Sequence, residues 1–290
     1  MEHNLIRALS HNGGVVFCAL DSTAMVREAE RIHKTSAVTS AALGRLLTAA
    51  SMMGMMLKTE EASVTLRLSG GGPAGTVLAV ANGDGWARGY VQNPVVELPL
   101  RPDGKLDVGG AVGREGTLSV VRDMGMKEPY VGQIPLASGE VAEDITAYYA
   151  ISEQVPTVCA LGVLVNPDLS IACAGGYLIQ LLPGASEAEI SQIERNIAAM
   201  PSVTALLGQG KTPEGIMQLA MAGFDPELLD SRTVGYRCDC SLARVERALA
   251  SLGRAELEAM AAQQEEAEVT CQFCDKVYRV PLQKLLAQLK

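Results

Sequence analysis

The sequence predicts an α+β protein in three parts: a strand-rich N-terminal domain with packed helices (1–180), a metastable helical linker (181–232) and a small C-terminal module held by cysteines (233–290). Three observations predict it. Short apolar runs divided by Gly-rich turns fill the first part, helix-start signals cluster in the second, and two close cysteine pairs lie in the third. With 290 residues, 48% of them hydrophobic and 20% charged, the chain is long enough for about two packed domains.

LIRALS, the turn His11-Asn12-Gly13 and VVFCAL read as an opening hairpin, with Asp21 placed to cap the helix that follows. A second helix is predicted from Ser36 to Lys58. Its core, Ala41 to Leu57, holds Arg45 and is shorter than a bilayer span, which favours a buried helix over a membrane segment. SVTLRLSG, GTVLAVANGDG and WARGYVQNP then read as successive strands, and after RPDGKLDVGG come GTLSVVRDM and YVGQIPL. A helix is expected from Ser138 to Gln154. VPTVCALGVLVNPD and LSIACAGGYLIQLLP close the domain as a hairpin of buried strands.

Pro183-Gly184 ends that block. Ser186 and Glu189 form a capping box, with Ile190, Ile193 and Ile197 at helical spacing behind it. Thr212-Pro213-Glu214 and Asp225-Pro226-Glu227 read as two further helix starts. Helices this short need a surface to dock on, and the strand-rich domain is the expected partner.

In the last part, Cys238-Asp239-Cys240 is followed by Cys271-Gln272-Phe273-Cys274. Two close pairs separated by a short helical segment suit a tetrahedral metal site, each pair supplying one edge. Zinc is the favoured ion and an iron-sulfur cluster the lesser reading; none of the three histidines, His3, His11 and His33, lies nearby in sequence. SLARVERALASLG should place Leu242, Val245, Leu249 and Leu252 on one helical face, RAELEAMAA a second helix, and EVTCQFCDKVYRV the second pair in a turn between strands. Pro281-Leu282 should begin a final helix. The module is too small to fold well without the ion.

A Cys-x-Cys disulfide closes a very small, strained ring, so the first pair is a poor staple. Against a purely static zinc module stands the chemistry of clustered thiolates, which Arg237, Lys276 and Arg279 are close enough in sequence to favour. An oxidant would convert each pair to a small-loop disulfide that cellular reductants can reverse. Such a pair suits a switch.

Other features carry less. The turns at Gly71-Gly72-Pro73 and NGDG (82–85) lack the Gly-Lys-Ser/Thr of a phosphate loop. Cys18, Cys159 and Cys173 fall in apolar strand patterns and read as inert buried thiols. Met52, Met53, Met55 and Met56 form either a buried helix face, the favoured reading, or an adaptable binding surface. A net charge of -9 argues against a partner made of nucleic acid or an acidic membrane surface. The N-terminus lacks the apolar core of a signal peptide, which gives the cytoplasm as the expected location.

The chain resembles the heat-shock protein 33 family, the bacterial 33 kDa chaperonins. The resemblance rests on the Cys-x-Cys, long spacer, Cys-x-Phe-Cys pattern together with SAALGR (40–45), SGGGPAG (69–75), YVQNP (90–94), GTLSVV (116–121), SGEVAEDI (138–145) and SEQVP (152–156). It implies a redox-regulated, ATP-independent holdase that binds unfolding proteins and is no enzyme. It further implies that Cys238, Cys240, Cys271 and Cys274 are both the ligands of one Zn2+ per chain and the redox switch. On oxidation to Cys238–Cys240 and Cys271–Cys274 disulfides the metal leaves, the C-terminal module and linker unfold, and apolar surface opens to clients. The first domain would bind clients and form a homodimer on activation, and clients would pass to an ATP-driven foldase. Two other readings are weighed against this one: a zinc-module protein that binds nucleic acid, and a thiol-disulfide oxidoreductase using Cys271 and Cys274, which needs an attacking cysteine at a helix start.

Overall fold

The computed structural model describes residues 4–57 and 59–289; the sequence readings that touch His3 and Lys58 fall outside the described residues. By internal packing the chain divides into two compact units, one ending at Tyr236 and the other beginning at Arg237.

The first unit opens with β1 (Leu5–Leu9) and β2 (Val15–Asp21), the predicted hairpin. In α1 (Thr23–His33) the cap differs in detail from expectation: the Asp21 carboxylate accepts from the amide and hydroxyl of Thr23, acting from one residue outside the N-cap Ser22. α2 (Ala37–Met55) is buried along almost all of its length. It packs against strands of two different sheets, which is why its sequence shows no polar face. Met52, Met53 and Met55 are buried and Met56 packs on the same core, so the methionine cluster is interior.

β3 (Ser63–Ser69), β4 (Val77–Asn82), β5 (Ala87–Val91), a short α3 (Val108–Val112), β6 (Thr117–Asp123) and β7 (Tyr130–Pro135) follow. The five strands form an antiparallel sheet in the order β5-β4-β3-β6-β7. The glycine turn at 71–73 packs on α3: the amides of Gly72 and Ala74 donate to the carbonyls of Val112 and Ala111, both at 2.9 Å. A Cβ on Gly72 would lie 2.5 Å from the Ala111 oxygen, so glycine serves a close backbone approach there. The NGDG stretch is the β4–β5 turn.

α4 (Val141–Tyr148) runs into a π-helical turn, Tyr149–Glu153, and then β8 (Thr157–Val165) and β9 (Ile171–Leu181) pair as the predicted closing hairpin. α5 (Glu187–Ala199) carries the complete Ser186/Glu189 capping box. α6 (Val203–Gly208) and α7 (Pro213–Ala220) follow, the latter capped by Thr212 with Pro213 in its first turn.

The helix start expected at Asp225-Pro226-Glu227 is corrected by the structure. The chain extends there as β10 (Glu227–Arg232), antiparallel to β1 at the edge of a second sheet ordered β10-β1-β2-β9-β8. Pairing with a distant strand overrides the local signal, since Leu228 and Leu229 are adjacent and no helical apolar spacing follows them.

This second sheet is covered on both faces. Leu5, Cys18, Leu20 and Leu178 share a cluster with α2, whereas the alternate residues Ile6, Phe17, Tyr177 and Ile179 share one with Ile193 of α5, Leu206 of α6, Ile216 of α7 and Phe224 beyond it. Period-two alternation with apolar partners on both sides is what makes these strands read as continuous apolar runs. Of the predicted face of α5, Ile193 is buried, Ile197 packs on the same cluster and Ile190 is half-buried. Among the described residues no helix is long and apolar enough to cross a membrane.

Candidate metal centre

The second unit contains α8 (Leu242–Ala250), α9 (Arg254–Gln263), the hairpin β11 (Glu266–Thr270) and β12 (Val277–Pro281), and α10 (Leu282–Gln288). Its core is small: among the described residues, Leu249, Leu257, Ala267, Val280, Leu282, Leu285 and Leu286 form its buried apolar cluster. The expected four-residue face of α8 is half realised. Val245 and Leu249 reach this core, but Leu242 sits in the first turn and Leu252 beyond the helix end, and they are 44% and 52% exposed.

The hairpin places the second cysteine pair. Cys271 follows β11, and its carbonyl accepts from the amide of Asp275 at 2.9 Å while its amide donates to the carbonyl of Lys276. Asp275 takes a left-handed φ of 56°, which Asp tolerates, and this turns Cys274 back beside Cys271. Cys238 and Cys240 lie on the extended segment ahead of α8. There the carboxylate of the intervening Asp239 pairs with Arg244 at 2.7 Å, and the Ser241 hydroxyl caps the helix.

The four sulfurs lie within 4.8 Å of one another and all four residues are half-buried. Cys238 and Cys271 sulfurs are 3.7 Å apart and those of Cys240 and Cys274 3.4 Å. Four thiolates each 2.3 Å from a central ion make a tetrahedron with edges of about 3.8 Å, so the donor set fits a tetrahedral metal ion. The second pair occupies a turn between strands, with no helix start beneath either sulfur, which removes the context the oxidoreductase reading needs.

Two of the three cations expected to favour the thiolates, Arg279 and Lys276, have other neighbours. Arg279 is taken up by Glu268 at 3.3 Å, and the Lys276 ammonium sits 5.0 Å from the centre of the Tyr278 ring. Instead the Tyr278 hydroxyl donates to the Cys240 sulfur at 3.0 Å. Burial pushes Cys240 up, but the hydrogen bonds from Tyr278 and from the other three thiols outweigh it and hold Cys240 down at about 7. Burial pushes Cys238 and Cys274 up. One strand signal pointed to Tyr278: in VYRV the alternation sends Tyr278 and Val280 to the same side, and both are buried. The remaining cysteines are elsewhere, in the first unit, where burial raises all three thiols, Cys18 to about 12.

The family model described as Hsp33 protein matches residues 3–281. The chain belongs to the Hsp33 family. Its curated relatives include the 33 kDa chaperonin of Clostridioides difficile, 45% identical over all of this chain and 99% of that protein, and that of Acetivibrio thermocellus, 44% identical over all of this chain and 98% of that one. Among solved structures, the 33 kDa chaperonin (heat shock protein 33 homologue) of Thermotoga maritima superposes with a TM-score of 0.88 at 36% identity, covering 99% of this chain and 98% of that one. An Hsp33 chain with chaperonin relatives over its full length is a chaperone rather than an enzyme.

Proposed function

We propose that the protein is a redox-regulated, ATP-independent holdase whose off state is held by one Zn2+ on Cys238, Cys240, Cys271 and Cys274. A single observation carries this reading: two short cysteine pairs meet at one point in a unit whose apolar core is too small to hold it together otherwise. When bound, the ion supplies a cross-link between the segment before α8 and the β11–β12 turn, and with it most of the unit's folding free energy, roughly 10–16 kcal/mol in comparable modules.

Oxidation removes that cross-link. The Cys271 thiolate attacks one oxygen of a peroxide, the O–O bond breaks, and the sulfur becomes a sulfenic acid while hydroxide leaves and takes up one proton to become water. The Cys274 thiolate attacks that sulfur, the S–S bond forms and hydroxide leaves, so that two thiolates give two electrons to one peroxide. The wider Cys-x-x-Cys ring closes with less strain and forms first, and Cys238 and Cys240 then pair by the same chemistry. Disulfides inside each pair tie nothing distant together. Cross-pair disulfides, Cys238 with Cys271, would instead staple the unit shut across a long loop. Connectivity therefore separates a switch from a staple.

With the module unfolded, α5, α6 and α7 leave the sheet, and the apolar face around Phe17 and Tyr177 becomes available to unfolded clients. Homodimerisation on activation and transfer of clients to an ATP-driven foldase complete the reading. A reducing, cytoplasmic setting, in which oxidation is the exceptional signal, belongs to the same reading.

Peptide mapping of peroxide-treated protein is the test, together with suppression of aggregation of a denatured client. In-pair disulfides in the active sample are expected; predominant Cys240–Cys271 links, or any bond to Cys159, contradict the reading. A Tyr278→Phe variant, which loses the hydroxyl bonded to Cys240, should bind Zn2+ about tenfold less tightly in a chelator competition. Unchanged affinity would show that the hydroxyl plays no part in holding the ion.

A further inference from the structure

We propose that the edge of β1 is a client-binding site, and that an extended apolar segment of an unfolded protein occupies it by adding as a strand in the place of β10. This rests on the holdase reading and specifies how a client is held.

The slot is built independently of its present occupant. β1 is paired on its other side with β2, and Leu5 is wholly buried in the cluster formed with α2, contacts that remain when the linker helices leave. Removing β10 therefore uncovers a row of backbone N–H and C=O groups on a strand that the rest of the unit keeps in place.

β10 is loosely held. Leu228 and Leu229 are 46% and 45% exposed, so the strand contributes little apolar burial. The ladder is interrupted by a shift of register between Arg7 and Ala8. The strand is entered through Asp225, in a left-handed conformation with φ 44°. Its side-chain anchors lie at its C-terminal end: Arg232 pairs with Asp84 and Asp230, and the Asn4 amide exchanges hydrogen bonds with the backbone of Val234. Between Arg232 and Cys238 the chain is tied to β5 as well: the Ala87 amide donates to the Gly235 carbonyl at 3.2 Å and the Tyr236 hydroxyl to the Gly89 carbonyl at 2.7 Å. Unfolding that spreads backward from the cysteines meets these ties and then the anchors before it reaches the remainder of β10, which has little besides backbone hydrogen bonds to retain it.

The chemistry of the slot fits an unfolded chain. Main-chain hydrogen bonds supply affinity without reading sequence, as a chaperone with many clients requires. The native occupant, ELLDSR, is an extended segment with two exposed leucines between charges, much like a stretch of an unfolded protein. The edge also adjoins the face bearing Ile6 and Phe17 that departing linker helices uncover, so a client strand finds apolar surface beside its backbone partner.

The test uses the oxidised full-length chain and a synthetic peptide of residues 225–233. Two analogues carry N-methyl groups on alternate backbone amides, one set on the edge that bonds β1 and the other set on the opposite edge. The unmodified and opposite-edge peptides should bind the oxidised protein and compete with a denatured client. The β1-edge analogue should be weaker by about tenfold or more. None should bind the reduced, metal-loaded protein. Equal competition by the two analogues while the oxidised protein suppresses aggregation overturns strand addition and leaves the holdase reading standing. Failure of the oxidised protein to suppress aggregation at all overturns both. Amide-exchange protection of β1 that rises with protein concentration, without peptide, would assign the edge to a second copy and also overturn the proposal.

Discussion

Ile216→Asp is expected to give a protein that suppresses client aggregation while still reduced and still holding its metal. Ile216 is wholly buried in the cluster that joins α7 to the sheet residues Phe17 and Tyr177. An unpaired carboxylate buried there costs several kcal/mol, comparable to a typical domain's whole margin of about 5–15 kcal/mol. Undocking avoids that cost, because α5, α6 and α7 are short helices with no stability of their own in water. The opposite face of the sheet is secured by α2, so β2 and β9 should stay folded. Ile193→Asp on α5 should act in the same direction. Both variants should show increased binding of a hydrophobic dye and rapid proteolysis between residues 182 and 226. Variants that are cut there yet remain inactive until oxidised would show that the linker helices do not cover the client surface.

The Cys238→Ser, Cys271→Ser double variant should bind almost no Zn2+, where the reduced wild type should bind about one equivalent. Its second unit should lose cooperative folding, seen as fast amide exchange throughout α8, α9 and α10, because the core of Leu249, Leu257 and Leu286 is too small to persist by itself. Chelation of the wild type should reproduce the effect. Full retention of zinc by the double variant would remove the four-thiolate assignment.

The cysteine site was legible in the sequence because its information is local: each pair fixes one edge, and the β11–β12 turn that presents Cys271 and Cys274 is written in EVTCQFCDKVYRV. The capping box at Ser186 and the proline at 213 were legible for the same reason. β10 was not, since what makes Glu227–Arg232 a strand is the unpaired edge of β1 at the other end of the chain. Leu242 and Leu252 satisfied the helical period, but the period does not say where a helix stops or how far a small core extends. Lys276 and Arg279 were read by proximity in sequence, whereas in a hairpin the neighbour across the turn decides, and there Glu268 claims Arg279 while Tyr278 reaches Cys240.

The most direct test of the switch is a stepwise peroxide titration in which released Zn2+ and suppression of aggregation are measured on the same samples. The account predicts that both rise together, with one equivalent of metal released at full activity, and that a thiol reductant with added Zn2+ reverses both. Full activity in reduced, metal-loaded protein, or complete metal release with no gain in activity, would contradict it.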